Sequence, residues 1–197
     1  MLDLKDEEFL LVASDIHDSE SVLSALSKKA STPKCLGFLY AGDLNIENLL
    51  ISQQIEYSAF PFLAVQGNCD NPWSWSDIGI TLPSYRSYEC KGLRIFLSHG
   101  HRFSAPSDVG LSDKDFDIVI TGHTHMNELS EHCIDEKRVL FLNPGSPTRP
   151  RGGTKGSYAL IRFQKKDSVC VEIRSLNGDG LLAQKHITVH QSTERND

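Results

Sequence analysis

Five short apolar runs in this chain each stop at a side chain that can bind a hard metal ion. They span residues 9–14, 36–42, 62–67, 94–98 and 117–122. Runs of this length, bounded by glycine and polar residues, are typical of buried strands. Ligands of open α/β sheets gather at the carboxyl ends of the strands. The run ends therefore predict one convergent site, formed by Asp15, His17, Asp43, Asn68, His99, His123 and His125.

Helix-like segments separate the first runs. Residues 19–30 and 46–57 place apolar side chains on one helical face, and Asp18 or Ser19 would cap the first helix. The alternation of strand and helix predicts a largely parallel sheet. Because the strands are continuously apolar, both faces of that sheet should be covered.

The pattern changes after about residue 126. Short strand-like runs follow one another without helices, and the segment 143–156 is a loop rich in proline and glycine. We expect these runs to form a second, antiparallel sheet that packs on the first. They span residues 138–142, 157–163, 168–175 and 185–189.

Length and composition bound the organisation of the chain. With 197 residues, we expect a single domain over 1–190 and a frayed polar tail over 191–197. No apolar run is long enough for a membrane span, and the acidic N-terminus does not resemble a signal peptide. The five cysteines include no C-x-x-C pair, which favours a reducing, cytoplasmic location over a disulfide framework.

The net charge of −6 argues against a stable nucleic-acid partner, because such binding relies on a basic surface. It does not argue against a small phosphoester substrate. Two divalent ions would outweigh the negative charge of Asp15 and Asp43 and leave the occupied site cationic.

The ligand spacing suits two metal ions. Asp15 and His17, like His123 and His125, lie two residues apart and share one side of an extended segment. Two divalent ions about 3.5–4 Å apart can hold the attacking and leaving oxygens of an in-line displacement. Oxygen and imidazole ligands without an obligatory thiolate favour Mn, Fe, Zn or Co in hydrolytic use.

Six sequence blocks carry a family resemblance that covers about residues 9–175. They resemble the motifs of the calcineurin-like metallophosphoesterases, and the last, Asn-Pro-Gly-Ser, is similar to a signature of the small YfcE-like phosphodiesterase branch. The blocks are Asp-Ile-His at 15–17, Gly-Asp at 42–43, Gly-Asn-Cys-Asp at 67–70, His-Gly-His at 99–101, Gly-His-Thr-His at 122–125 and Asn-Pro-Gly-Ser at 143–146.

The resemblance implies a fold and a chemistry. The fold would be a four-layer α/β sandwich of two facing mixed sheets flanked by helices. The activity would be that of a dinuclear metal-dependent phosphoesterase, first a phosphodiesterase, in which a metal-bridging hydroxide attacks phosphorus. Manganese is the first expectation for the two ions, and Fe, Zn, Ni and Co are the alternatives.

The resemblance also assigns residues. One ion would be held by Asp15, His17 and His125, the other by Asn68, His99 and His123, and Asp43 would bridge them. Catalytic roles would fall to Asn68, Asp70 and His101, and substrate contacts to Cys69 and His101.

Position 69 departs from the wider family. Many members carry a histidine there to protonate the leaving oxygen, and a thiol replaces it poorly. The enzyme would then favour diesters with good leaving groups, or His101 would supply the proton. Structural explanations also stay open, because Cys69 could serve only packing and Asp70 could cap a turn.

Several alternatives remain at this point. The same ligands would serve a phosphomonoesterase or a cyclic-nucleotide phosphodiesterase, and the fold could serve as a non-catalytic interaction scaffold like the retromer subunit of this family. A homodimer through sheet edges or the Trp73 region is also expected. The loop cations Arg149, Arg151 and Lys155 are either phosphate contacts or solvated surface charges.

Overall fold

The computed structural model describes residues 7–45, 61–77, 79, 81–165 and 167–189. Two β-sheets dominate their regular secondary structure. The first part of the chain contributes β1 Glu8–Ala13, helix α1 Glu20–Ala30, β2 Cys35–Tyr40, β3 Phe62–Ala64, a short helix Pro72–Ser76, β4 Tyr85–Cys90 and β5 Leu93–Ser98. Two 3-10 turns, Pro106–Val109 and Asp113–Asp115, precede β6 Ile118–Ile120, β7 Asn127–Ile134, β8 Lys137–Pro144, β9 Ser157–Phe163, β10 Ser168–Ser175 and β11 Leu181–Thr188.

Both sheets are mixed. The first has the strand order β11-β10-β9-β1-β2-β3, and the second has the order β4-β5-β6-β8-β7. Strands β1, β2 and β3 run parallel to one another, as do β5, β6 and β8. The remaining strands pair antiparallel at the flanks. Each sheet therefore has a parallel unit whose carboxyl ends point one way.

The main core lies between the sheets. Leu10 and Val12 of β1 face Ile95 and Ile118 of the second sheet in one buried cluster. The alternate β1 residues Phe9, Leu11 and Ala13 pack on the other face, against the α1 side chains Leu23, Leu26 and Ala30. Burial on both faces explains why β1 is apolar throughout. On the outer face of the second sheet, Phe116 beside a 3-10 turn packs against Phe96, Val119 and Val139.

The predicted sandwich of two facing mixed sheets is confirmed, but its strand partition differs from the expectation. The strands after residue 126 do not form a separate antiparallel sheet. The β9–β10–β11 meander extends the first sheet through the pairing of Leu11 with Leu160, whereas the β7–β8 hairpin joins the second sheet. Hairpins are local features, but the sheet edge to which each one adds depends on long-range pairing.

Single elements also differ from the expectation. The first helix begins after Ser19, as predicted, and the second predicted helix, 46–57, lies outside the described residues. Strands β4 and β7 had no counterpart in the sequence prediction, because their exposed positions carry polar residues. No helix among the described residues is both long and apolar enough to cross a membrane.

Candidate metal centre

All seven predicted ligands lie just beyond the carboxyl ends of parallel strands. Asp15 and His17 follow β1, Asp43 follows β2, Asn68 follows β3, His99 follows β5, and His123 and His125 follow β6. The two sheets contribute both parallel units to the same edge of the sandwich. This topology brings together residues that are up to 110 positions apart in the sequence, since His125 and Asp15 meet there.

The first cluster consists of Asp15, His17 and His125, all buried. Nε2 of His125 lies 3.1 Å from Nε2 of His17 and 3.3 Å from Oδ1 of Asp15. Nδ1 of His125 is 2.9 Å from the carbonyl oxygen of Arg149, which can only accept a hydrogen bond. A neutral His125 ring therefore carries its proton on Nδ1, and the lone pair of its Nε2 atom points toward His17 and Asp15.

The second cluster repeats this arrangement with Asn68, His99 and His123. Oδ1 of Asn68 lies 3.1 Å from Nε2 of His99 and 2.9 Å from Nδ1 of His123. His99 donates Nδ1–H to the carbonyl oxygen of Ala41 at 2.6 Å, which leaves its Nε2 without a proton when the ring is neutral.

Asp43 stands between the clusters. Its Oδ2 is 3.4 Å from Nε2 of His99. Asp43 belongs to two groups whose potential metal-binding atoms all lie within 4.8 Å of one another, one with Asp15 and His99 and the other with His17 and Cys69. Burial by itself would raise the pKa of Asp43, but the hydrogen bond and charge of His99 and the Cys69 N–H hold it well below its ordinary value. Asp43 therefore stays ionised.

The donor atoms fit metal ions. Buried Oδ1 of Asp15 and buried Nδ1 of His17 have no hydrogen-bond partner among the described residues. Oδ1 of Asp15 and the unprotonated Nε2 of neutral His125 lie 3.3 Å apart, and their lone pairs repel unless a cation lies between them. Asp43 and Asp15 also raise the pKa of His99 against the opposing effect of burial, so the field there favours positive charge. Oxygen and imidazole donors suit divalent ions of the first transition row.

The backbone at the site is strained in a way that the sequence did not reveal. Five of the seven ligand residues have positive φ angles: Asp15 at 55°, His17 at 42°, Asp43 at 62°, His123 at 69° and His125 at 62°. Such conformations are uncommon for residues other than glycine and cluster at functional sites. Gly67 and Gly122 allow the close approach, because a Cβ atom at either position would collide with Asp43 or with Ser14 and Asp15.

Asp70 holds the backbone that carries Asp43. Its Oδ2 accepts hydrogen bonds from the N–H groups of Asp43 and Gly67, both at 2.8 Å. Its Oδ1 accepts from Leu44 at 2.8 Å and Asn45 at 3.3 Å. The side chain is buried, and all four contacts are to main-chain donors. Its contacts thus join the segment after β2 to the segment after β3.

A sixth strand end also reaches the site. The end of β8 and the loop that follows it, residues 143–149, contact both ligand loops of the first cluster. Asn143 donates Nδ2–H to the carbonyl oxygen of Gly122 at 2.8 Å, and Ser146 donates to that of Asp15 at 2.7 Å. Thr148 donates to the carbonyl oxygen of Ile16 at 2.9 Å. The Asn-Pro-Gly-Ser block is visible in the sequence, but its hydrogen bonds to the ligand loops could not be predicted, because each one joins residues more than 20 positions apart.

Of the remaining predicted residues, Cys69 is exposed and His101 is half-buried. The Cys69 thiol accepts a hydrogen bond from Nδ2 of Asn68 at 3.2 Å, and burial and the nearby Asp43 raise its pKa to about 11. The His101 ring lies 5.2 Å from that of His99 and 6.2 Å from that of His123. Burial and the charge of His99 lower the pKa of His101 below its ordinary value.

The two tryptophans diverge. Trp75 is buried against the core beside α1, whereas Trp73 is 77% exposed. Of these two tryptophans, Trp73 is the one whose side chain is exposed for the expected contact with a second copy of the chain.

Comparisons with known proteins identify the family. The calcineurin-like phosphoesterase superfamily domain matches residues 9–166. The Escherichia coli phosphodiesterase YfcE is 26% identical over 190 residues, covering 89% of this chain and 96% of that protein. A probable metallophosphoesterase of Methanothermobacter thermautotrophicus is 34% identical over 150 residues. The alignment covers 71% of this chain and 80% of that protein.

Solved structures share the fold. The structure of YfcE superposes with a TM-score of 0.72 at 23% identity, covering 92% of this chain and all of that one. The zinc complex of Vps29 from Entamoeba histolytica superposes with a TM-score of 0.64 at 21% identity, covering 92% of this chain and 99% of that one. The prediction of a metal-dependent phosphoesterase is confirmed at the level of the family. The chain belongs to the calcineurin-like phosphoesterase superfamily.

Proposed function

We propose that this protein is a dinuclear metal-dependent phosphodiesterase. The observation that carries the proposal is the pair of side-chain clusters that meet at Asp43. In each cluster a histidine, His125 or His99, directs the lone pair of its Nε2 atom toward the other side chains. One ion would be held by Asp15, His17 and His125 and the other by Asn68, His99 and His123, with Asp43 shared. All seven of these residues lie within the range 9–166 that matches the family.

Bound ions would supply an activated water as nucleophile and would neutralise charge that develops on the phosphoryl oxygens. The protein's own groups fix the geometry. The N–H of Cys69 donates to Oδ1 of Asp43 at 2.8 Å, which sets the plane of the shared carboxylate. Carbonyl oxygens of Ala41 and Arg149 orient the His99 and His125 rings. His101, whose ring lies beside that of His99, would contact the substrate.

Diester preference rests on the relatives and on Cys69. YfcE is named a phosphodiesterase, and the two chains align over nearly their full lengths. The raised pKa of Cys69 makes the thiol a weak acid at neutral pH, so substrates with good leaving groups should react best. Phosphomonoesterase and cyclic-nucleotide phosphodiesterase activity are the alternatives on the same ligands. Manganese as the working ion, a homodimer and a cytoplasmic location remain predictions.

Scaffolding is the second candidate, since a Vps29 structure shares the fold. The chain carries all seven side chains that the family resemblance assigns as metal ligands, which supports an enzyme.

The test is hydrolysis by chelator-stripped protein that is refilled with one divalent metal at a time. Bis-p-nitrophenyl phosphate is compared with p-nitrophenyl phosphate, and bound metal is counted by mass spectrometry. We expect metal-dependent turnover that favours the diester. Asp43→Ala should lose activity and bound metal together, whereas Asp135→Ala, a control at a 72% exposed carboxylate, should keep both.

Preference for the monoester would move the assignment to a phosphatase. Protein that binds two ions but hydrolyses neither ester with any metal would favour the scaffold. An Asp43→Ala variant with full metal content and full activity would refute the bridging role.

A further inference from the structure

Beyond the metal ligands, one cationic side chain is fixed at the rim of the first cluster. The carbonyl oxygen of Arg149 accepts the hydrogen bond from Nδ1 of His125 at 2.9 Å, and its own N–H donates to Oγ of Ser146 at 2.9 Å. The residue before it, Thr148, is bonded to the carbonyl oxygen of Ile16, which lies between Asp15 and His17. Together, Thr148 and Arg149 thus contact both loops that carry the first cluster.

The conformation of this segment is restricted as well as anchored. Pro150 follows Arg149, and a proline confines the preceding residue to extended conformations. The direction in which the side chain leaves the loop is therefore set before any ligand arrives. A fixed starting direction lowers the entropy that a long side chain loses on binding.

Arg149 lies beside the first cluster. Its main-chain carbonyl oxygen is 2.9 Å from Nδ1 of His125, so the side chain starts at the edge of the proposed metal site. The side chain is exposed, and within the described part of the chain no carboxylate forms an ion pair with it. A guanidinium at the edge of a metal site, not neutralised by a carboxylate there, is suited to an anionic ligand.

We propose that Arg149 is a substrate-binding residue that donates to a non-bridging phosphoryl oxygen on the side of Asp15, His17 and His125. It would face His101, which lies beside the second cluster, so that the phosphoryl group is held from both sides. The planar guanidinium can contact two phosphate oxygens at once. This inference rests on the proposed function, because it takes the ligand to be a phosphoester.

Arg151 supplies a matched control. It lies two residues further along the same loop and is also exposed, and its main-chain N–H donates to the carbonyl oxygen of His125 at 3.1 Å. It carries the same charge, but its hydrogen bond is to the backbone of His125, whereas the main chain of Arg149 contacts the His125 ring. Replacing either arginine with glutamine removes one positive charge and leaves the main-chain contacts in place.

The experiment measures inorganic phosphate binding by calorimetry, to metal-loaded protein, for the native chain, Arg149→Gln, Arg149→Lys and Arg151→Gln. Metal content and the steady-state kinetics of bis-p-nitrophenyl phosphate are recorded in parallel. We expect Arg149→Gln to weaken phosphate binding about tenfold to a hundredfold and to raise KM, with metal content unchanged. Arg149→Lys should recover part of the loss, and Arg151→Gln should stay within about twofold of the native chain.

Equal losses in Arg149→Gln and Arg151→Gln would overturn the proposal, because they would show a general effect of loop charge. So would native phosphate affinity and KM in Arg149→Gln. If the native protein hydrolyses no phosphoester but binds phosphate through Arg149, the phosphate contact stands and the proposed enzymatic function fails.

Discussion

The hydroxyl group of Ser146 donates a hydrogen bond of 2.7 Å to the main-chain carbonyl oxygen of Asp15, across 131 positions of sequence. Ser146 is fully buried, and its oxygen also accepts the N–H groups of Thr148 and Arg149. This side chain connects the end of β8 to the end of β1. It therefore holds a ligand loop whose positive φ angles are unfavourable for an isolated chain.

Replacing Ser146 with alanine should loosen that loop. We expect the free energy of unfolding to fall by about 1–3 kcal/mol, because buried main-chain groups lose a partner. Metal affinity should fall about tenfold to a hundredfold, as when outer hydrogen bonds of other metal sites are removed. Urea unfolding of metal-free protein and competition with a chelating dye measure the two effects. Ser175→Ala, which removes another buried hydroxyl, should cost stability alone.

Asp70→Asn should weaken the site although it replaces no proposed ligand. An amide nitrogen would face two main-chain N–H donors where the carboxylate now accepts four hydrogen bonds. We expect the free energy of unfolding to fall by about 1–3 kcal/mol and the binding of the ions that Asp43 is proposed to share to weaken. Asp117→Asn is the control, since Asp117 accepts hydrogen bonds from Arg94 and Lys137 far from the ligands. Unchanged metal affinity in Asp70→Asn would contradict this positioning role.

Zinc-loaded protein should show fixed histidine tautomers. His99 and His125 donate Nδ1–H to carbonyl oxygens, so Nε2 should be the metal-facing nitrogen in both rings. His123 turns Nδ1 inward and should carry its proton on Nε2. Long-range ¹H–¹⁵N correlation spectra distinguish these forms. A proton found on Nδ1 of His123 in the zinc form would exclude the proposed arrangement of the second cluster.

Cys69→His should extend activity to poor leaving groups. Burial and Asp43 raise the pKa of the thiol to about 11, whereas a histidine titrates near neutral pH and can protonate an alkoxide. We expect the ratio of alkyl to aryl diester hydrolysis to rise. The same ratio, measured for the His101→Ala variant, shows whether His101 already supplies the proton. An alkyl-diester rate that does not change in His101→Ala would remove His101 from that role.

Acid should weaken the fold partly through Asp179. Burial alone would raise its pKa, but the Tyr158 hydroxyl, Lys29 and Arg174 lower it below its ordinary value. A carboxyl group with a lowered pKa in the folded state stabilises that state above its unfolded pKa and loses the effect as pH falls through the folded value. Asp179→Asn should therefore reduce stability at pH 7 and differ less from the native chain near pH 3. Urea unfolding at both pH values tests this, with Asp135→Asn as the exposed control.

Much of the site could be predicted from the sequence because the relevant features are local. Each ligand follows an apolar run directly, so Asp43 after β2 and His99 after β5 are visible as strand endings. The family blocks supplied the order of the ligands and the facing sheets. The amphipathic edge strands β4 and β7 were missed because their exposed faces are polar, and the alternation was too weak to separate them from loops.

The sequence by itself thus determined which side chains could meet at one edge of a sheet and what chemistry their atoms allow. The tertiary structure alone decided how they are held. It placed β9 beside β1, put the Ser146 hydroxyl on the Asp15 carbonyl and directed the four contacts of Asp70 to main-chain N–H groups. These contacts join residues far apart in the chain, and they form only when buried apolar surface offsets the entropy of bringing those residues together.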